Sequence, residues 1–390
     1  MLLDPAEFKT RACAMFVMQN FSRVQGNRAS MWEDITGARA AALKAATAAN
    51  LLEVEVRECG LLVLWNLVGE APMAEAVWGN AEAREAILQA AQLEDACNMR
   101  NRLCGLRVLQ ELASVTYLRS EIWTHDIARS AVLAAAVVTN CSEKSLRESA
   151  FRILMSCSSD KSNKDMMWQD DATRAALCAG VRSGSSIFRR VRICAAGALQ
   201  NLSSVPELKA PMWADMSVRA ALIEAAKMQD PGDRMARTCA LGALQNLSAS
   251  IGESSSMWED EQSREALLEA ARLSGTADRK ARICALGALR NLAATAENKE
   301  RMWSDKDGAR SIVVQAASLS DKADRDARDC ALATLWNLAR DPANAKLMEL
   351  DVSGARLAID VASKLTEPED RKARAYAQAA AKSFGSDPMA

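Results

Sequence analysis

One histidine serves 390 residues, and aromatic side chains make up only 4% of the chain. That histidine, His125, has no carboxylate or cysteine at a fixed spacing beside it, so neither a general acid–base pair nor a metal set is encoded. The chain lacks a Walker-type phosphate loop, GxGxxG after a strand, HExxH and GxSxG, which removes the common nucleotide-dependent and hydrolytic chemistries. No CxxC pair occurs among the 11 cysteines, and a disulfide framework does not suit a chain of this size and spacing. No apolar run approaches the roughly 20 residues needed to span a bilayer, and the start, MLLDPAEFKTR, lacks the apolar core of a signal peptide. Neither charge sign dominates, with Lys plus Arg at 49 and Asp plus Glu at 50, so net charge gives no reason to expect nucleic acid or an anionic membrane. Basic stretches such as FRRVR at Phe188–Arg192 are isolated. The expectation is a soluble, intracellular, cytoplasmic protein with reduced thiols, no cofactor, no metal and no enzymatic activity.

What is abundant is periodic. A cysteine register runs Cys13, Cys59, Cys104, Ser149, Cys194, Cys239, Cys284, Cys330 and Tyr376, in steps of 45 or 46 residues. An arginine precedes each by two, from Arg11 through Arg374. Tryptophans recur at Trp32, Trp78, Trp123, Trp168, Trp213, Trp258 and Trp303, with Met348 in the eighth place. A second arginine follows each, from Arg39 to Arg356, and an aspartate stands two after several tryptophans, as at Asp34, Asp170, Asp215, Asp260 and Asp305. Such periods mark solenoids and arrays. Each period reads as a short helix with the Met-Trp pair, a second with apolar residues at i, i+3, i+4 and i+7, a polar loop, and a longest third helix such as ARICALGALRNLA. Strand-like alternation is missing.

The segment ENKERMWSDKDGARSIVVQAASLSDKADRDARDCALATLWNLA resembles the armadillo repeat from end to end. It has the Glu-Asn opening of the first helix, the glycine near the first bend and the Asn-Leu-Ala closing the third. The resemblance covers nearly the whole chain and implies an all-α, right-handed superhelical armadillo-type solenoid. The unit is about three residues longer than usual, and Trp fills a first-helix place usually aliphatic. A HEAT-type solenoid is the nearest alternative, but would not explain the Asn-Leu-Ala ending. The expected organisation is a lone third helix over residues 1–22, capped by Asp4 with Pro5 at its first position, seven repeats over 23–339, and a capping repeat and tail over 340–390.

Within such repeats the Cys, Ala and Gly of CALGAL let third helices approach closely. Glycine in a helix interior costs about 1 kcal/mol against Ala, so Gly197, Gly242 and Gly287 imply a close contact or a groove floor. The tryptophans are expected to form a core column, and the arginine and aspartate registers to pair as ion-pair ladders between neighbouring units, in preference to an anion site.

Seven residues after the cysteine register stand Asn20, Asn66, Glu111, Ser156, Asn201, Asn246, Asn291, Asn337 and Ser383. The resemblance implies that third helices line a concave groove where this asparagine bonds an extended peptide; an amide offers both donor and acceptor. The competing expectation is that it satisfies a loop carbonyl of its own repeat. Flanking positions would set specificity: Arg107 and Arg152 in the middle, where the ladder lapses, and Trp336 beside Asn337. The tryptophans that form lysine slots in importin-alpha-like members are replaced by Phe16, Leu62, Arg107, Arg152, Gly197, Gly242, Gly287 and Ala333. The expected function is a non-catalytic interaction scaffold with a protein or peptide partner. The alternatives are a structural subunit contacting through its ends or convex face and, after it, a transport adaptor. Phe8 and Phe16 on the first helix suggest a hydrophobic N-terminal edge that meets a partner or continues into upstream chain.

Overall fold

The structure, a computed structural model, describes residues 5–50, 53–250, 252 and 254–384. Asp4, the expected first cap, lies outside the described residues; Pro5 opens the first helix, Pro5–Arg23. Among the described residues every regular element is helical. The chain divides into two units, Met1–Ala198 and Leu199–Ala390.

The first unit holds Pro5–Arg23 and then three-helix repeats. Repeat one comprises Gln25–Glu33, Ala38–Ala46 and Val54–Leu67; repeat two comprises Ala71–Gly79, Ala81–Ala91 and Met99–Ser114. Repeat three is Leu118–Thr124, Asp126–Ala136 and Lys144–Ser158, and repeat four opens with Lys161–Gln169 and Asp171–Val181. The third helix of repeat four, Arg189–Ser203, contains the boundary between the units. The second unit continues with repeat five (Pro206–Ala214, Met216–Ala226, Arg234–Leu247) and repeat six (Ser254–Glu259, Glu261–Ala271, Arg279–Leu292). Repeat seven is Ala296–Ser304, Ser311–Ala317 and Arg325–Ala339, and repeat eight is Pro342–Leu350, Ala355–Ser363 and Arg371–Ala381.

The aspartates after the tryptophans cap helices, which corrects the expected inter-repeat ladder except in repeat eight, where the counterpart Asp351 also pairs with Arg310 of repeat seven at 3.3 Å. Asp215 accepts from the backbone N–H groups of Ser217 and Val218 at 2.9 and 3.1 Å, and Asp260 from Ser263 at 2.8 Å. Each satisfies donors that a second helix leaves open at its first turn. At Asp34 and Asp305 the cap bonds Gly37 and Gly308 and reaches one residue further, to the N–H groups of Ala38 and Ala309 at 2.8 and 2.9 Å. A Cβ at those glycines would stand 2.2 and 2.1 Å from the capping carboxylate, and at Gly354 2.5 Å from that of Asp351. Repeats one, seven and eight have this glycine bend, and they are the three with a 46-residue step in the cysteine register. The bend therefore accounts for the alternation of period. It also resets the eighth register: Met348 matches the buried Met302, and half-exposed Glu349 takes the tryptophan's place.

The tryptophans pack as expected. Trp32, Trp78, Trp123, Trp213, Trp258 and Trp303 are buried and Trp168 is half-buried. The indole N–H of Trp78 donates to Glu121 at 3.1 Å and that of Trp213 to Ser256 at 2.9 Å, each one repeat ahead. The following arginine lies over the same ring, 5.1 Å away for Arg219 on Trp213 and 4.4 Å for Arg310 on Trp303, a cation–π contact. Repeat eight lacks the tryptophan, and Arg356 lies over Phe384 instead.

The other arginine register carries the inter-repeat ion pairs. Arg328 donates to the Leu319 carbonyl at 3.0 Å, closing the end of its own second helix, and reaches Asp370 of the next repeat. Arg282 and Arg237 do the same with Asp324 and Asp278. In repeat one the next-repeat partner is neutral, with Arg57 bonded to Asn98 at 3.1 Å. Of the register cysteines, Cys104, Cys194 and Cys330 are buried, Cys59, Cys239 and Cys284 half-buried and Cys13 exposed. Their burial is thus shallower than uniform core packing required.

Candidate functional site

The third helices bring the asparagine register onto one face in each unit. In the second unit, Asn246 Nδ2 donates to the Gln200 carbonyl at 3.4 Å and Ser203 Oγ at 3.0 Å. Asn291 repeats this with the Gln245 carbonyl and Ser248 Oγ, both at 3.1 Å. Asn337 donates to the Arg290 carbonyl at 3.0 Å; Ala293 stands where the serine would be. In the first unit Asn66 bonds the Gln19 carbonyl at 3.3 Å and Ser22 Oγ at 2.8 Å. Each serine hydroxyl in turn donates to the carbonyl three residues before it, as Ser248 does to Gln245 at 2.7 Å. The carbonyl partner fixes the amide orientation, since a flipped Oδ1 would face another acceptor.

These bonds run to the preceding repeat, so neither a loop carbonyl of the same repeat nor a wholly free amide describes them. Both N–H groups of Asn66, Asn246 and Asn291 are engaged by scaffold, and Oδ1 is the atom the preceding repeat does not use; at Asn291 it accepts from the adjacent Arg290 at 3.4 Å. Asn201 is half-buried on the same register, and Asn20 is exposed with Oδ1 accepting from Arg23 at 3.3 Å.

The position just before each asparagine crosses to the next repeat. A Cβ on Gly242 would lie 2.2 Å from Gln200 Nε2, and one on Gly287 2.3 Å from Gln245 Nε2. The two glycines therefore seat a second row of amides. Trp65 occupies the equivalent place in repeat one, and Arg107 lies 5.5 Å over its ring. Trp336 stacks on Tyr376 at 5.9 Å and 28°. Arg152 is exposed. On this face of the first unit a cavity of about 600 Å³ is lined by Phe16, Leu62, Cys13, Cys59, Glu55, Glu58 and Arg100 among others.

Phe8 does not belong to an exposed edge: it is 7% exposed, covered within the first unit, whereas Phe16 is 56% and Phe21 58% exposed. His125 sits edge-on to Trp78 with ring centroids 5.9 Å apart. Among the described residues no group of three or more His, Cys, Asp or Glu is placed to hold a metal, and no helix is long and apolar enough to cross a membrane.

Solved structures match this arrangement of three-helix units, one of them over almost the full chain. An engineered protein matches with a TM-score of 0.62 at 18% identity, covering 96% of this chain and 95% of that one. A computationally designed armadillo repeat protein for modular peptide recognition matches with a TM-score of 0.52 at 17% identity, over 65% of this chain and 98% of that one. The fold is that of the armadillo repeat proteins. A second designed armadillo repeat protein aligns similarly, with a TM-score of 0.51 at 17% identity, again over 65% of this chain and 98% of its own length. No protein-family model and no curated protein matches the sequence. In this armadillo fold the serine two after the ladder asparagine and the glutamine before it were legible as the recurring QNLS, but only the structure shows their partners one repeat away.

Proposed function

We propose that the chain is a non-catalytic armadillo scaffold that holds an extended segment of a partner protein along the third-helix face. The carrying observation is the spacing of Asn246, Asn291 and Asn337, one per repeat, with Nδ2 committed to the preceding repeat. Such a row presents acceptor oxygens to the N–H groups of an extended backbone, and the likeness to proteins designed for modular peptide recognition supports the reading. Asn20, Asn66 and Asn201 extend the row, while Arg107, Arg152 and Trp336 would read side chains. The test is affinity capture of peptides from a random library by the full chain, comparing wild type with Asn246→Asp, Asn291→Asp and with the two alanine variants. Aspartate keeps an acceptor oxygen toward the groove but turns its second oxygen toward the carbonyl that Nδ2 had bonded, so at equal folded concentration, checked by circular dichroism, capture should survive the first pair and fall with the second. Equal capture by the wild type and all four variants would remove the amides from recognition.

The structural-subunit reading draws on exposed Phe16 and Phe21 beside Val24, an apolar surface on the first helix. Partner retention that depends on Phe21→Lys and not on the amides would favour it.

A further inference from the structure

Crevices recur at the outer edge where the second helix of one repeat meets the second-to-third loop of its neighbour. The one between repeats one and two measures about 310 Å³ and the one between six and seven about 190 Å³. Between repeats seven and eight it widens to about 460 Å³. We propose that this last crevice is a second binding site, for a leucine-rich acidic segment of a partner protein, separate from the amide-lined face and independent of that reading.

Comparison of repeat eight with repeat seven carries the inference. The two align at a constant 46-residue offset through Asn298 and Asn344, Asp305 and Asp351, and Arg310 and Arg356. At that offset Arg301, Ser304, Lys306, Ser311 and Gln315 become Leu347, Leu350, Val352, Leu357 and Val361. All five replacements are apolar and all five are exposed, Leu357 by 52% and Val361 by 58%. Leu357 and Val361 line the crevice with Leu319 and Leu365. Internal packing explains none of this, because repeat seven builds the same bend and helices with polar residues there. Exposed apolar clusters of this kind mark surfaces that meet a partner.

Charge selects the partner's chemistry. The lining contains Lys322, Arg325, Arg328 and Lys364 against Glu367 and Asp370. Both carboxylates are already held: Asp370 by Arg325 at 2.9 Å and by Arg328, Glu367 by Lys322 at 2.8 Å and by Arg325. Lys364 stands where repeat seven has Ser318, is exposed, and forms no ion pair among the described residues. An apolar rim with surplus positive charge suits apolar side chains flanked by Asp or Glu. A protein segment fits better than a single small acid, since the replaced positions extend beyond the cavity onto the first helix at Leu347 and Leu350.

The test uses the full chain and a short fluorescein-labelled peptide of leucines and glutamates, read by anisotropy. A leucine–lysine peptide and dodecanoate serve as comparisons. Leu357→Ser with Val361→Gln restores the residues of repeat seven, so folding should be preserved, which circular dichroism checks. We expect the acidic peptide to bind, and the double variant and Lys364→Glu each to weaken it by about tenfold or more. Failure of the acidic peptide to bind, equal binding of the lysine peptide, or indifference to the double variant would overturn the proposal. Binding of dodecanoate without the peptide would make the site one for small amphipathic acids and overturn it equally.

Discussion

Replacing ladder asparagines by alanine should destabilise the second unit in proportion to the inter-repeat bonds each one makes. Asn291 makes two at 3.1 Å, Asn246 makes two of which one is long at 3.4 Å, and Asn337 makes one at 3.0 Å. A net contribution of about 0.5–1.5 kcal/mol per bond gives about 2 kcal/mol for Asn291→Ala and about 1 kcal/mol for Asn337→Ala, with Asn246→Ala between. The sites are half-buried, so water can rescue part of each loss and the measured costs should not exceed these mid-range figures. Ala293→Ser supplies the hydroxyl that Ser248 offers in the preceding repeat, and should stabilise by about 0.5–1 kcal/mol in the wild type but not alongside Asn337→Ala. Urea denaturation followed by circular dichroism measures the series, and hydrogen exchange along Arg279–Leu292 localises it. Equal costs at Asn291 and Asn337, or an Ala293→Ser effect that persists without Asn337, would show that the amides do not tie the repeats.

Burial pushes the thiols of Cys104 and Cys157 up to about 12 and that of Cys284 to about 11, so near pH 8 a thiol reagent should label exposed Cys13, Cys97 and Cys141 first; early labelling of Cys157, read by mass spectrometry, would contradict the packing. Asp329 has its carboxyl raised by burial above 3.8, and its buried Oδ1 has no hydrogen-bond partner. A raised carboxyl costs stability once pH exceeds its unfolded value and nothing well below it, so Asp329→Asn should raise the melting temperature at pH 7 and lose that advantage as pH falls through this range. Gly287→Ala places a Cβ against the flexible end of Gln245; with alanine's helix preference of about 1 kcal/mol, stability should hold or rise while peptide capture changes, and a large loss of stability would refute the seating.

The helices, their grouping in threes and the tryptophan core were legible because period and apolar spacing fix which face of a helix is buried. Partners were not. An aspartate two residues after tryptophan looks the same in sequence whether it caps the following helix or pairs with a neighbouring unit, and only the backbone direction at Asp215 and Asp260 decides. The true ion pairs join residues about 42 positions apart, Arg282 with Asp324 and Arg328 with Asp370, a lag that no local pattern announces. The same lag concealed that the asparagine amides give their N–H groups to the scaffold. Phe8 misled for a related reason: a helical wheel shows that it is apolar, not that a neighbouring helix covers it.

These bonds also have a direction in time. Within each unit the acceptors on a third helix, such as the Gln245 carbonyl and Ser248, are synthesised before Asn291 arrives to use them, and Arg282 precedes Asp324. During translation at about 5–20 residues per second, a period of 45 residues leaves such groups waiting for roughly 2–9 s before the next repeat closes them. A ribosome stalled within a repeat would hold the chain with one open set of partners, the set on its newest completed third helix.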